Sequence, residues 1–481
     1  MDKIKFGTSG WRAIIADDFT FSNVKVCVQA IAEHLKSKRL LAKPVVIGAD
    51  PRFLAEEFMK TAAEVLAANA IESIICPVGT PTPVISYEIL SKKLAGGINF
   101  TASHNPPYYQ GIKFSPSWGG PALPGDTQFI ENEANRLIQS RSSVDSINFL
   151  EAVNKKLVKT HDPRKDYLKK LKSMLMVNQI KKSKLKVGLD MLYGSGIGYL
   201  DSFLKDVLPP VFTLNNYRDV LFGGSSPEPS EENLGELKKE LKAKKCHLGL
   251  SVDGDADRFG IIDTDGSFIS PNEFLALVLN HLIKTRKWKG VVARSVMTSH
   301  MVDSIASKNG ITVKETPVGF KYIGEIMTQE EFIVGGEESG GLTIKGHVPE
   351  KDGILAALLA LEIMAVEKKP LKKVLAELSK QYGTYITKRI NLRVSLDTFE
   401  SLKTKLSLHP PTSLGEFHVK RIVETDGYKF ILKENSWVGV RFSGTEPVLR
   451  IYIETDDPKK VEKLEKFSRQ VFVESLGKKK K

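Results

Sequence analysis

Pro44-Val45-Val46-Ile47-Gly48, followed by residues 54–68 and then 71–76, is the stretch that decides the fold. Its β-branched apolar run, bounded by proline and glycine, reads as a strand buried on both faces. In 54–68 the apolar positions 54, 55, 58, 59, 62, 65 and 66 fall on one face of a helix. Residues 71–76 are again strand-like. A β-α-β unit results, and its parallel strands need helices on both faces of their sheet.

The scheme recurs at 185–190 followed by 197–204, and at 290–293 followed by 300–307. Three α/β domains with mixed sheets are therefore expected, with reactive loops following their strands. Beyond them, 388–394, 419–424, 428–432 and 449–454 are strand-like and surround helices at 397–406 and 458–476, for which Asp397 and Pro458 are suitable starts. A smaller C-terminal α+β domain fits. Polar runs at 140–148, 266–271 and 379–387 supply linkers, giving domains at 1–147, 148–266, 267–382 and 383–481.

Composition bounds the function. The chain has 481 residues, 41% of them apolar, enough for three or four domains with cores of their own. Cys27, Cys76 and Cys246 are odd in number, widely spaced and without a Cys-x-x-Cys pair, which points to a reducing cytoplasm. No apolar signal region precedes Gly7, and the apolar segment 354–366 is too short to span a bilayer, so a cytoplasmic protein with no membrane partner is expected. The formal charge of +13 sits largely on helix-like segments such as 236–245 and on the tail 478–481. No nucleic-acid-binding motif accompanies it, so the charge is read as attracting anionic small molecules, with no specific nucleic-acid partner.

Five segments carry chemistry. Thr101-Ala102-Ser103-His104-Asn105-Pro106 sets a hydroxyl nucleophile in a turn, and a serine hydroxyl needs a base and a cation to act on phosphate. Asp253-Gly254-Asp255-Ala256-Asp257-Arg258 could supply that cation: if the segment is extended, its three carboxylates leave the same side. At a separation of about 6.5 Å adjacent pairs would repel by roughly 2–3 kcal/mol, a cost that a bound divalent ion reverses. An EF-hand is excluded, because Arg258 stands where glycine is needed and Thr264 where the bidentate glutamate belongs. Few oxygen ligands, with room for water and phosphate, suit Mg²⁺. A serine hydrolase is disfavoured, since there is no Gly-x-Ser-x-Gly elbow and His104 adjoins Ser103 in sequence.

Gly335-Gly336-Glu337-Glu338-Ser339-Gly340-Gly341 offers acceptors for vicinal sugar hydroxyls. Arg441-Phe442-Ser443-Gly444-Thr445-Glu446-Pro447 combines a guanidinium, two hydroxyls and a glycine turn able to nest an anion. Phe6-Gly7-Thr8-Ser9-Gly10-Trp11-Arg12 is a further glycine-and-hydroxyl turn ending in arginine. Each alone reads equally as a glycine-permitted turn between strands.

Taken in order, the five segments resemble the α-D-phosphohexomutase superfamily over residues 6–447. The resemblance implies four domains around a central cleft and a transfer of phosphate between O1 and O6 of a hexose. It implies that Ser103 is the phosphorylated residue and that Asp253, Asp255 and Asp257, with the phosphoserine oxygen of Ser103, hold Mg²⁺. His104, Lys113 and Arg12 would surround the phosphoserine, with Lys113 a proton-transfer candidate. Arg258, as a catalytic residue, and Lys321 in Pro317-Val318-Gly319-Phe320-Lys321 would contact substrate or assist proton movement, with Gly319 also meeting substrate; Glu337 and Ser339 would hold the sugar's O3 and O4. Arg441, Ser443, Gly444 and Thr445 would grip the phosphate that is not reacting.

The implied enzyme is a phosphoglucomutase-type isomerase working through a hexose 1,6-bisphosphate, activated by glucose 1,6-bisphosphate, and monomeric or homodimeric. Residues 117–122 and 347–353 look closer to glucose-specific members, and Gly341 stands where many mannose- or glucosamine-specific relatives carry histidine. Phosphomannomutase or dual glucose/mannose activity is the alternative. A silent sugar-phosphate sensor or a simple phosphatase would be the other readings, and a pure binder would not need Ser103 with three aspartates.

Overall fold

Val45–Ala49 is buried at every residue and runs parallel to Ser73–Ile75 on one side and to Gly96–Phe100 on the other. The intervening helix, Ala55–Ala68, presents Phe58, Met59, Ala62, Val65 and Leu66 to the core. Leu54 precedes it at φ 60° without a side-chain cap, so Glu56 and Glu57 in the first turn answer the helix dipole. The computed structural model describes residues 3–433, 436–442 and 448–474.

Among the described residues the strands form four sheets. The first is mixed, in the order Phe6–Gly7, Gly10–Ile14, Tyr109–Pro116, Gly96–Phe100, Val45–Ala49, Ser73–Ile75 and Val158–Thr160. Its last strand comes from beyond residue 147. The second orders Phe259–Ile262, Leu248–Val252, Val187–Asp190 and Phe212–Leu214; the third orders Val313–Thr316, Val291–Ser295, Phe332–Gly336 and Leu342–Ile344.

One device recurs in these three sheets. A buried strand is parallel to its inner neighbour, while the next strand in the chain returns antiparallel beside it. The connecting segments are 101–108, 253–258 and 337–341, which contain Ser103, the three aspartates and Glu337. Each loop thus leaves the carboxyl end of a parallel strand, where open α/β sheets place their ligands.

Between the second and third sheets lies Gly353–Glu367, packed against Leu248–Val252, Phe259–Ile262 and Leu342–Ile344. From residue 353 to 365 it is buried throughout and, apart from Glu362, which pairs with His281 and Arg286, apolar, each enclosed leucine being worth about 2 kcal/mol over exposure. Asp352 caps it by accepting from the Leu355 amide. Among the described residues no helix is long and apolar enough to cross a membrane.

The fourth sheet is antiparallel, in the order Ile386–Arg393, Val448–Thr455, Trp437–Phe442, Tyr428–Leu432, Phe417–Val423 and Ser413–Leu414. It departs from expectation in three ways. Trp437–Phe442 was not anticipated: Val438 and Val440 enter the domain's own core while Trp437 and Gly439 meet Met297 of the third domain, so the strand lacks the alternation of a half-exposed one. The last helix, Pro458–Arg469, gives way to a π-helical segment at Gln470–Glu474, where the described residues end. The helix Leu371–Tyr382 takes up the beginning of the expected third linker, leaving 383–385 before Ile386–Arg393.

Candidate active site

Ser103 stands at φ 52°, a left-handed conformation that costs a non-glycine residue about 1–2 kcal/mol. Its surroundings hold it there. The Ser103 amide donates to Thr101 Oγ1 at 2.8 Å, and the Thr101 hydroxyl donates to Asp50 Oδ2 at 2.6 Å. Ser103 Oγ donates to Asp253 Oδ2 at 2.7 Å, with His104 Nδ1 3.3 Å away on the other side. Burial first, then Arg258 and Arg12, hold the His104 imidazole well below its ordinary range, so it is neutral at pH 7. Arg12 reaches the same loop from Gly10–Ile14, donating to Asn105 Oδ1 at 2.8 Å.

The acidic hexapeptide is a turn and not the extended segment that its alternating spacing would also fit. Asp253 Oδ1 accepts the amides of Asp257 and Arg258 at 2.9 Å, and Ala256 takes φ 56°, so the chain curls around one carboxylate. Convergence survives by a different route: one oxygen from each of Asp253, Asp255 and Asp257 lies within 4.8 Å of the others, and all three side chains are buried.

Lys113 reaches this turn from Tyr109–Pro116 of the first sheet, and its Nζ donates to Asp255 Oδ2 at 2.5 Å and to Asp257 Oδ2 at 2.7 Å. It is buried, which excludes a solvated strand lysine. Burial pulls its pKa down, but Asp255 and Asp257 outweigh that and keep it cationic. Burial likewise pushes the Asp257 carboxyl up, while Lys113, Lys351 and Arg258 hold it below the usual carboxylate range. Asp253 is driven well above that range by burial and then by Asp255 and Asp257. The residues fit a hard divalent cation: Oδ1 of Asp255 and Oδ1 of Asp257 are buried without a hydrogen-bond partner, and the donor set is all oxygen.

Arg258 faces Glu228 at 3.7 Å and Asp257 at 4.0 Å. Glu337 is buried and accepts the Gly319 amide on Oε1 at 2.7 Å, which brings the third domain's two expected segments together. Ser339 sits in the same turn, partly exposed. Lys321, at the start of Phe320–Gln329, is half-buried with its ammonium over the Tyr322 ring. Arg441 is the penultimate residue of Trp437–Phe442 and donates through Nε to Asp426 Oδ2 at 2.9 Å; the same oxygen accepts the Val318 amide at 3.1 Å. The C-terminal arginine and the 317–321 segment are therefore bridged by one carboxylate. Ser443, Gly444 and Thr445 lie outside the described residues.

Several contributors were missed from sequence. Thr82 donates its hydroxyl to Asp255 Oδ2 at 2.5 Å, and Lys351 stands 3.2 Å from Asp257 Oδ2. Arg450 lies directly opposite Arg441 in the antiparallel ladder, an otherwise unfavourable pairing of like charges. Strand register would have revealed Arg450 once Trp437–Phe442 was recognised. Thr82 and Lys351 carry no local signal, because their partners are distant in the chain.

Four family models match in order: domain I of phosphoglucomutase/phosphomannomutase over residues 3–141, domain II over 165–266, domain III over 270–382 and the C-terminal domain over 390–470. The chain is 30% identical to a phosphoglucomutase of Komagataeibacter xylinus, covering 94% of this chain and 87% of that one. It is 31% identical to a Methanosarcina acetivorans protein assigned as a phosphoglucosamine mutase, covering 98% and 99%. A crystal structure of a protein assigned as a phosphomannomutase from Thermus thermophilus superposes with a TM-score of 0.83 at 30% identity, covering 98% and 99%. With all four domain models in order and a serine bonded to a buried aspartate triad, the chain belongs to the phosphoglucomutase/phosphomannomutase family of phosphohexomutases, which are isomerases.

Proposed function

We propose that the protein interconverts glucose 1-phosphate and glucose 6-phosphate through phospho-Ser103 and glucose 1,6-bisphosphate. The observation that carries this reading is the Ser103 hydroxyl donating directly to Asp253 of the aspartate triad. Asp253, Asp255 and Asp257, joined by the phosphoserine oxygen, would hold Mg²⁺, which when bound draws charge from the transferring phosphoryl group. A hydroxyl oxygen of the sugar monophosphate attacks phosphorus, the bond from phosphorus to Ser103 Oγ breaks, and the proton lost by the sugar is the one Oγ gains. His104, whose Nδ1 lies 3.3 Å from Oγ, is within reach of that proton. Lys113 is held cationic and so counters charge on the phosphoryl oxygens.

After transfer the bisphosphate turns over and presents its other phosphate to Ser103. Glu337 and Ser339 hold the sugar hydroxyls, with Gly319 fixing Glu337 and Arg258 and Lys321 bordering the substrate. Arg441, helped by Arg450 and by Ser443, Gly444 and Thr445, grips the distal phosphate. Glucose is favoured because Gly341 offers no side chain where many mannose- or glucosamine-specific relatives carry histidine, and a Cβ there would collide with Lys351 Cδ. The cysteines Cys27, Cys76 and Cys246 are unpaired, as befits a cytoplasmic enzyme, active as a monomer or homodimer.

Purified protein with Mg²⁺ should isomerise glucose 1-phosphate, activated by a trace of glucose 1,6-bisphosphate, and intact mass should show one phosphate on Ser103. Folded Ser103→Ala should be inactive; undiminished turnover would remove Ser103 from the mechanism. Among glucose, mannose and glucosamine 1-phosphates, kcat/KM should be highest for glucose, and a higher value for another sugar would reassign the substrate.

A further inference from the structure

Arg52 belongs to none of the five motifs, yet it is fully buried and all five of its N–H groups are engaged. Nε donates to Asp50 Oδ2 at 2.9 Å. Nη1 donates to the carbonyls of Pro106 at 2.7 Å and Tyr109 at 3.1 Å, and Nη2 to those of Ser103 and Asn105, both at 2.7 Å. The two peptide groups flanking the Ser103 Cα are thereby clamped from both sides. Thr101 holds the amide, Arg52 holds the carbonyl, and both converge on Asp50.

The second domain seats on this arginine. The Phe222 ring lies 4.9 Å from the Arg52 guanidinium carbon. Phe222, Gly223 and Gly224 are three successive residues at positive φ, and Asp219 holds their turn by accepting the amides of Leu221 and Gly223 at 2.9 Å. Arg218 reaches across to Pro51 O at 3.2 Å and pairs with Glu56 through both terminal nitrogens. The domain that carries the aspartates therefore presses on the residue that sets the backbone of the serine.

We infer that Arg52 is a positioning residue for phosphoryl transfer: it fixes Ser103 in its left-handed conformation so that Oγ meets Asp253, and Phe222 passes the placement of the second domain to that loop. The inference rests on the proposed role of Ser103 as phosphoryl carrier. Its alternative is that Arg52 merely satisfies buried carbonyls and contributes stability alone. The two differ in what lysine should do, since one ammonium keeps a charge beside Asp50 but cannot span four carbonyls.

The test follows single-turnover phosphorylation of Ser103 by glucose 1,6-bisphosphate, kcat, and the Kd of glucose 1-phosphate in wild type, Arg52→Lys and Phe222→Leu. In Arg52→Lys the phosphorylation rate and kcat should fall together by about ten- to a hundred-fold, with Kd changed by less than about twofold. Phe222→Leu keeps apolar bulk and loses the ring face, so kcat should fall by about two- to five-fold at unchanged Kd. The inference is overturned if Arg52→Lys phosphorylates Ser103 at the wild-type rate, or if affinity falls in step with kcat. Should Arg52→Lys fail to fold, Phe222→Leu decides, and an unchanged kcat there overturns the inference. Wild type that takes up no phosphate on Ser103 would instead overturn the proposed function.

Discussion

Asp255 and Asp257 divide their oxygens alike: Oδ2 meets Lys113, while Oδ1 is buried without a hydrogen-bond partner. Asp255→Asn keeps the shape and removes one negative charge, so Mg²⁺ should bind about ten- to a hundred-fold more weakly. The half-saturating Mg²⁺ concentration for turnover reports this directly, and a wild-type value would move the ligands elsewhere. Glu337 offers a pH signature. Burial first and Glu338 second push its carboxyl up to about 7, so between its ordinary pKa near 4.5 and about 7 the folded protein binds more protons than the unfolded chain. Its contribution to stability is complete below 4.5 and is lost as pH rises to about 7. Glu337→Gln should remove that slope, as thermal unfolding at pH 5 and pH 7 would show; an unaltered slope would assign the titration to another group. At this scale Ser103 and the aspartates were legible because each motif is short and contiguous. Asp50 and Arg52 were not, since Arg52 acts on carbonyls 51 to 57 residues away and no local period records that.

Among elements, the β-α-β units were readable wherever a strand was uniformly apolar and its helix one-sided, as in Val45–Ala49 and Ala55–Ala68. Trp437–Phe442 escaped because two different domains bury its two faces. The curl of 253–258 escaped because alternating aspartates fit an extended strand as well as a turn; the amides of Asp257 and Arg258 on Asp253 select the turn. That turn packs directly on the serine loop. A Cβ on Gly254 would stand 2.5 Å from Ser103 O and 2.9 Å from Pro227 Cγ, and Gly254 is not in the left-handed region, so the contact alone bars a side chain. Gly254→Ala should therefore displace the Ser103 loop and lower kcat by about a hundred-fold while the protein stays folded. Wild-type kcat with native circular dichroism would show that the two loops tolerate separation.

Over the whole molecule, the packing of the fourth domain on the third was not readable from periodicity, since it depends on isolated residues. Lys429 Nζ donates to Val296 O at 2.6 Å and lies 2.8 Å from His300 Nε2, beneath the Trp437 ring, while Trp437 Nε1 donates to Glu454. Burial pushes the Lys429 ammonium down to about 8, as expected of a cation enclosed between two domains. From this seam Arg441 reaches Asp426, which also holds the Val318 amide beside Gly319 and hence Glu337. Arg441, paired with Asp426, faces Arg450 across the ladder, and two guanidinium groups held opposite one another could both attract an anion. If that anion is the distal phosphate, Arg441→Ala removes a charge-assisted contact of about 1.5–3 kcal/mol and weakens glucose 1-phosphate binding about ten- to a hundred-fold. Glucose, lacking the phosphate, should bind as it does to wild type. Ser103, remote in sequence and held by its own clamp, should still accept a phosphate from the bisphosphate, though more slowly. Calorimetry with both ligands separates the outcomes: equal losses for glucose and glucose 1-phosphate would mean that Arg441 supports the fourth domain through Asp426 rather than gripping phosphate.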